Sequence, residues 1–202
     1  MRAPGQPWLL SMLALVLAGA CGGFNNGQLG EGSVRGRILG ADVDVAWVGV
    51  FGESELMTRV SSDGRFELEG VPARTVELFV MASRTRAARV RAVPQGARVI
   101  DVGDIDAPPG AFITVRLRGD DGNVPEEGEV EVDGTPFDDL PVDPSTGEVR
   151  VGPLPAGCYA VEVDAKQHAK KEEQVCVREG EERLYDVVLA KVDDDDGDDD
   201  DD

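Results

Sequence analysis

SDGRFELEGVPARTVELFV (residues 62–80) and STGEVRVGPLPAGCYAVEV (residues 145–163) align without a gap at an offset of 83. Gly64 falls on Gly147, Phe66 and Leu68 on Val149 and Val151, and Val71-Pro72 on Leu154-Pro155. Val76, Leu78 and Val80 fall on Tyr159, Val161 and Val163. Each copy reads as a turn glycine, an alternating strand, a Pro-containing turn and a second alternating strand. Apolar residues at every second position turn one face of each strand toward a core about 10 Å thick, the spacing of two packed sheets. A repeat of this kind divides the body in two.

Outward from the repeat, short β-branched runs punctuated by Gly, Pro and Asp continue in both directions, with almost no helical periodicity. They predict strands near 33–39, 43–50, 56–60, 65–69, 75–82, 87–92 and 97–103. In the second half strands fall near 112–118, 128–133, 148–151, 157–164, 172–178 and 183–190. The expected fold is all-β: two tandem β-sandwiches over 33–106 and 111–191. A helical signal segment precedes them, and a disordered acidic tail over 192–202 follows.

Asp63-Gly64-Arg65-Phe66, Val71-Pro72 and Leu154-Pro155-Ala156-Gly157-Cys158-Tyr159, with the closing run GARVIDVGDID at 96–106, resemble the carboxypeptidase regulatory-like domain family. That resemblance implies a seven-stranded transthyretin-like (Ig-like) β-sandwich in each half. It implies no activity, because such modules serve as spacers, adhesins or ligand platforms. Transthyretin-like hydrolases place several histidines at a shared site, whereas this chain has one, His168. Modules with internal isopeptide bonds need a lysine on the first strand. The first module here has no lysine, and the second has none before Lys166.

Residues 1–20, MRAPGQPWLLSMLALVLAGA, run from a charged start through an apolar stretch to small residues. That is the order of a secretory signal. Leu17-Ala18-Gly19-Ala20-Cys21 resembles a bacterial lipobox, with the leucine one place early. The resemblance implies cleavage before Cys21, lipidation (palmitate among the chains) of that cysteine, and a membrane as partner. Several acyl chains give stable anchoring. Gly22 resembles the sorting pattern for the outer membrane of a two-membrane bacterium, facing the periplasm or the surface. Residues 21–32 then form the lipidated end and a Gly-rich tether.

The chain has 202 residues, and 20 Lys+Arg against 40 Asp+Glu give a formal charge of −20. Nucleic acid is excluded as a partner, because counterion release needs clustered cations facing phosphates. The charge is partitioned. Residues 33–104 hold ten Arg and ten acids, residues 111–191 nine basic and nineteen acidic side chains, and the tail nine Asp around Gly197. Arg84, Arg86, Arg89 and Arg91 are a candidate anion-facing patch, since guanidinium forks suit carboxylates and phosphates. The competing reading is an edge strand whose charges block aggregation. The tail does not fit a calcium-binding loop, because Gly197 at the sixth position puts Val192 at the first. It reads as a solvated, self-repelling segment, open to weak divalent-cation binding or to a basic partner.

With Cys21 assigned to lipid, Cys158 and Cys176 remain as a pair in an oxidising compartment. Both are one residue out of phase with the apolar positions, so both point away from the core. A hairpin turning at 166–168 sets them directly opposite each other, within reach of a disulfide. The same register sets Val161 against Glu173 and Val163 against Lys171, which predicts a bulge or a longer loop.

No nucleophile elbow, metal-ligand cluster or phosphate loop stands in the sequence, and no cofactor or metal is expected. The functional expectation is a non-enzymatic, membrane-anchored envelope lipoprotein, acting as a structural or protein-interaction platform. An envelope protein is the expected partner. The alternative is a carbohydrate- or small-ligand-binding module. Sugar sites favour exposed aromatic rings, and Trp47, the one tryptophan after the signal, sits on a strand where it reads as core.

Overall fold

The computed structural model describes residues 30–192 and is built of strands alone. The signal segment, Cys21 and the aspartates of the tail lie outside these residues. Module 1 comprises β1 (Gly32–Ile38), β2 (Trp47–Val50), β3 (Glu53–Arg59), β4 (Arg65–Val71), β5 (Val76–Ser83), β6 (Arg86–Ala92) and β7 (Val99–Ile105). Module 2 comprises β8 (Ala111–Gly119), β9 (Glu129–Val132), β10 (Leu140–Pro141), β11 (Glu148–Leu154), β12 (Gly157–Asp164), β13 (Lys171–Val177) and β14 (Glu182–Leu189).

The two modules share one topology, so the repeat in sequence is a repeat in space. In module 1 a three-stranded sheet β4-β1-β7 faces a four-stranded sheet β3-β2-β5-β6. In module 2 the corresponding sheets are β11-β8-β14 and β10-β9-β12-β13. In both, the first strand pairs antiparallel with the fourth and parallel with the seventh. Every expected strand has a counterpart, but the one expected near 43–50 is a strand only over Trp47–Val50: residues 43–45 form a turn, with the Val45 and Ala46 N–H groups donating to the Asp42 carbonyl. The third strand of module 2 has no counterpart among the expected ones, being only Leu140–Pro141 paired with Val130 and Glu129. Two residues, one of them proline, carry no alternation to read.

Alternation sorts the faces as the repeat predicts. Val34, Val48, Leu68, Leu78 and Val80 are fully or almost fully buried in module 1, as are Ile113, Val151, Tyr159, Val161 and Val163 in module 2. The phenol of Tyr159 donates to the Pro155 carbonyl at 2.6 Å, which fixes the turn before its own strand.

The repeated glycines are required by the backbone. Gly64 and Gly147 open the fourth strand of each module with φ of +80° and +70°. A Cβ would lie 2.5 Å from the Ile38 carbonyl oxygen at the first and 2.7 Å from that of Leu117 at the second. Both oxygens belong to the first strand of their module, so the glycine lets the turn close against it. Gly64→Ala and Gly147→Ala should each lower stability by about 1–2 kcal/mol or more, from left-handed strain together with the backbone contact. Chemical denaturation would show this as a lowered midpoint with an unchanged slope.

Candidate functional site

The two sandwiches meet at a seam on the outward face of β3-β2-β5-β6. On β5, Leu78 and Val80 enter the core of module 1, while Phe79 and Met81 point the other way and pack with the core of module 2. On β2, Trp47 does the same and is only 7% exposed. Its ring stacks on Phe79 at 5.1 Å with 9° between planes. Phe137, from the loop between β9 and β10, meets Phe79 edge-on at 6.2 Å. Trp47 is thus buried, as expected, but between modules rather than inside one.

A second contact is built on Arg89 of β6. Its guanidinium carbon lies 4.3 Å from the centroid of Phe51, in the turn after β2, and 5.3 Å from that of Tyr159 in module 2. Nη1 reaches Glu77 at 3.1 Å. Nε and Nη2 are buried without a hydrogen-bond acceptor and face aromatic rings. Burial pushes the Tyr159 phenol above its ordinary pKa, opposed by the positive charge of Arg89. Backbone joins the modules as well, with Gly52 N–H donating to the Gly134 carbonyl at 3.0 Å. The connection between modules is itself fastened to β6. Ala87 N–H donates to Pro108, Gly110 N–H to Thr85, and Arg86 Nε to the Ala107 carbonyl at 2.6 Å.

The four candidate arginines divide accordingly. Arg84 and Arg91 are exposed. Arg86 is held by Ala107 and Asp106, and Arg89 by Glu77 and the two rings. Two of the four guanidinium groups are therefore engaged within the chain, and β6 is an edge strand of its sheet. A run of sequence could have exposed the seam: Leu78-Phe79-Val80-Met81-Ala82 is apolar at every position, the mark of a strand covered on both faces.

Cys158 and Cys176 form a disulfide across β12 and β13, with Cα atoms 3.9 Å apart and both residues exposed. The predicted register holds, with Val161 opposite Glu173 and Val163 opposite Lys171. Of the bulge or longer loop expected, the bulge is absent: the pairing runs unbroken from Gly157↔Val177 to Val163↔Lys171, and the connection is the loop 165–170. Polar side chains are tolerated at these positions because β13 is an edge strand. The Glu173 carboxylate accepts the Tyr185 hydroxyl at 3.1 Å. Burial, and then this hydrogen bond, push the Tyr185 phenol up to about 12.

The outward face of β9, β12 and β13 is acidic. Glu131, Glu162 and Glu172 stand in one row across the three strands, with Glu129 opposite Asp164. Lys170 pairs with Glu162. At the repeat offset Glu162 corresponds to Phe79, so the position that carries an aromatic ring in the seam carries a carboxylate on the face where, among the described residues, no module docks. Among the described residues no group of three or more His, Cys, Asp or Glu is arranged to hold a metal ion. His168 sits in the loop after β12, its Nδ1 2.7 Å from the Lys166 carbonyl oxygen.

Comparison with known proteins gives no matching family model and no matching curated protein. Among solved structures, the Bacillus anthracis TIE protein overlaps 80% of this chain and 35% of its own, at 11% identity and a TM-score of 0.34. The chain thus spans about a third of that protein's length. A streptococcal ancillary pilin overlaps 80% and 69%, at 12% identity and 0.34. The minor pilin GBS52 of Streptococcus agalactiae overlaps 81% and 97%, at 10% identity and 0.32.

The acidic row sets a pH dependence. Burial, then Asp138, Glu162 and Asp133, raise the pKa of Glu131. A carboxyl whose folded pKa exceeds its unfolded one destabilises the fold as pH rises through that folded value. Asp63 and Asp143 act in the opposite sense, being lowered chiefly by hydrogen bonds from Ser61 and Ser145 respectively. Their contribution is present above the ordinary carboxylate range and is lost as pH falls through their folded values. Glu131→Gln should therefore stabilise the protein at neutral pH by roughly a few tenths of a kcal/mol, the scale of a like-charge cross-strand pair. The gain should shrink on mild acidification, which urea titrations at a series of pH values would show.

Proposed function

We propose that this chain is a non-enzymatic lipoprotein of the bacterial cell envelope, held to a membrane by lipid on Cys21 and acting as a structural or protein-interaction platform. The signal-like segment, the lipobox-like Leu17–Cys21 stretch and the Gly-rich tether support the anchoring. The repeat's resemblance to carboxypeptidase regulatory-like domains supports a scaffold role. The observation that carries the reading is the seam. A platform needs faces held in fixed relation, and aromatic packing, Arg89 and the fastened connection hold these two sandwiches as one body. The anchor precedes β1 in the chain, the acidic sheet face belongs to module 2, and the aspartate tail follows that module in sequence.

In cells, the intact protein should partition with membranes, and the mass of its N-terminal peptide should show an acylated Cys21. Cys21→Ser should move it to the soluble fraction with its fold retained. An unacylated Cys21 in a soluble wild-type protein would refute the anchoring. Crosslinking in cells, with the intact chain compared against one ending at Lys191, tests whether the tail contributes to the platform's contacts. Loss of an envelope partner on truncation assigns that contact to the tail, and retention assigns it to the sandwich faces.

A further inference from the structure

Cys158 lies between the two residues of module 2 on which Arg89 rests. A Cβ on Gly157 would stand 3.4 Å from Arg89 Nη2, and the ring of Tyr159 is 5.3 Å from the guanidinium carbon. The disulfide closes the β12–β13 hairpin at the end that makes the seam. Gly157↔Val177 is its terminal rung and Cys158↔Cys176 the next. Among the described residues only β12 pairs with β13, and no second ladder holds the far side of that strand. Both cysteines are exposed, and a depression bordered by Gln174, Arg178, Glu181 and Arg183 opens beside Cys176.

We propose that Cys158–Cys176 is a redox-sensitive latch on the seam between the modules. Oxidised, it holds Gly157–Tyr159 in place against Arg89. Reduced, it lets the last rungs of an edge strand fray, and the surface that receives Arg89 and Phe51 loosens with them. The co-reactant is a dithiol. One of its thiolates attacks Cys176 Sγ, the Sγ–Sγ bond breaks, and Cys158 leaves as a thiolate that takes a proton from water. The dithiol's second thiolate then displaces Cys176 as it closes its own disulfide. Two electrons pass to the protein, and both cysteines end as thiols. Cys176 is the sulfur beside the open depression, whose charged lining is mixed: Arg178, Arg183 and the Glu181 carboxylate 3.9 Å from Arg183.

The coupling is reciprocal: if the disulfide stabilises the seam, an intact seam must stabilise the disulfide by the same factor. The inference rests on the geometry of the seam and stands apart from the membrane anchoring.

The test uses the full chain equilibrated against dithiothreitol, with Cys158 and Cys176 followed by alkylation and mass spectrometry and the backbone by segment-resolved hydrogen exchange. On reduction, exchange should accelerate about five-fold or more in β6 and in residues 133–137, as well as in β12 and β13. Arg89→Ala should raise the equilibrium constant for reduction by about the same factor. Cys158→Val with Cys176→Val, which places β-branched side chains on the same rung, supplies a disulfide-free chain should the reduced protein unfold. It should show the same faster exchange in β6. Acceleration confined to β12 and β13, with β6 unchanged in reduced and double-variant protein alike, would overturn the latch. So would an Arg89→Ala protein whose reduction equilibrium stays within about two-fold of wild type.

Discussion

Stacking of Trp47 on Phe79, on the face of a sheet that already has its core on the other side, is the constraint from which the arrangement of the modules follows. A sheet in a sandwich needs one apolar face, and the inward residues of β2 and β5 supply it. The second face of β3-β2-β5-β6 would ordinarily be polar. Here it carries two aromatic rings and Met81. Rings of this size bury on the order of 150–250 Å² each, worth several kcal/mol when removed from water. Module 1 without module 2 would leave that surface wet. The loops of module 2 therefore complete module 1, and the fastening of residues 106–110 along β6 follows from the same docking.

The repeat makes the comparison internal. Both modules use the same strand order, and both open the fourth strand with a glycine closed against a first-strand carbonyl. They differ where their surroundings differ. Phe79 in module 1 becomes Glu162 in module 2, and Glu162 stands between Glu131 and Glu172. Like charges directly across a ladder oppose pairing, and a row of carboxylates cannot be buried under a third module without a large desolvation cost. The acidic face is thus the polar counterpart, in module 2, of the face that module 1 buries in the seam.

Much of this was legible in the residues, and the limits have physical causes. Inward alternation in β4, β5, β11 and β12 could be read because each strand needs one apolar face whatever lies beyond it. The pairing of Cys158 with Cys176 followed from parity, since both cysteines fall out of phase with Tyr159, Val161, Val175 and Val177. The register at Glu173 is legible in the sequence but its freedom from a bulge is not, because that depends on β13 lying at the sheet edge and on Tyr185, twelve residues further on, bonding the carboxylate. In sequence Arg89 stands among the other arginines of β6, and proximity along the chain is all that groups them. Its partners Phe51 and Tyr159 come from two other strand ends, and no local pattern connects them.

The chemistry at Arg89 explains why the joint carries an arginine. An ammonium is compact and strongly hydrated, and would need acceptors on every side once buried. A guanidinium is planar, delocalised and weakly hydrated, so it can present its face to Phe51 and Tyr159 while one edge bonds Glu77. The rings' negative faces meet part of what Nε and Nη2 lack in acceptors. Glu77 sits on β5 beside β6, so the charge is balanced inside module 1 and module 2 contributes only a ring and a glycine. The joint thus has its polar half on one side and its apolar half on the other. Among the described residues, no ion pair joins the two modules. Separating them would, however, expose Trp47, Phe79, Phe51 and the ring of Tyr159 together, and the hydrophobic cost of that exposure holds the two sandwiches in register.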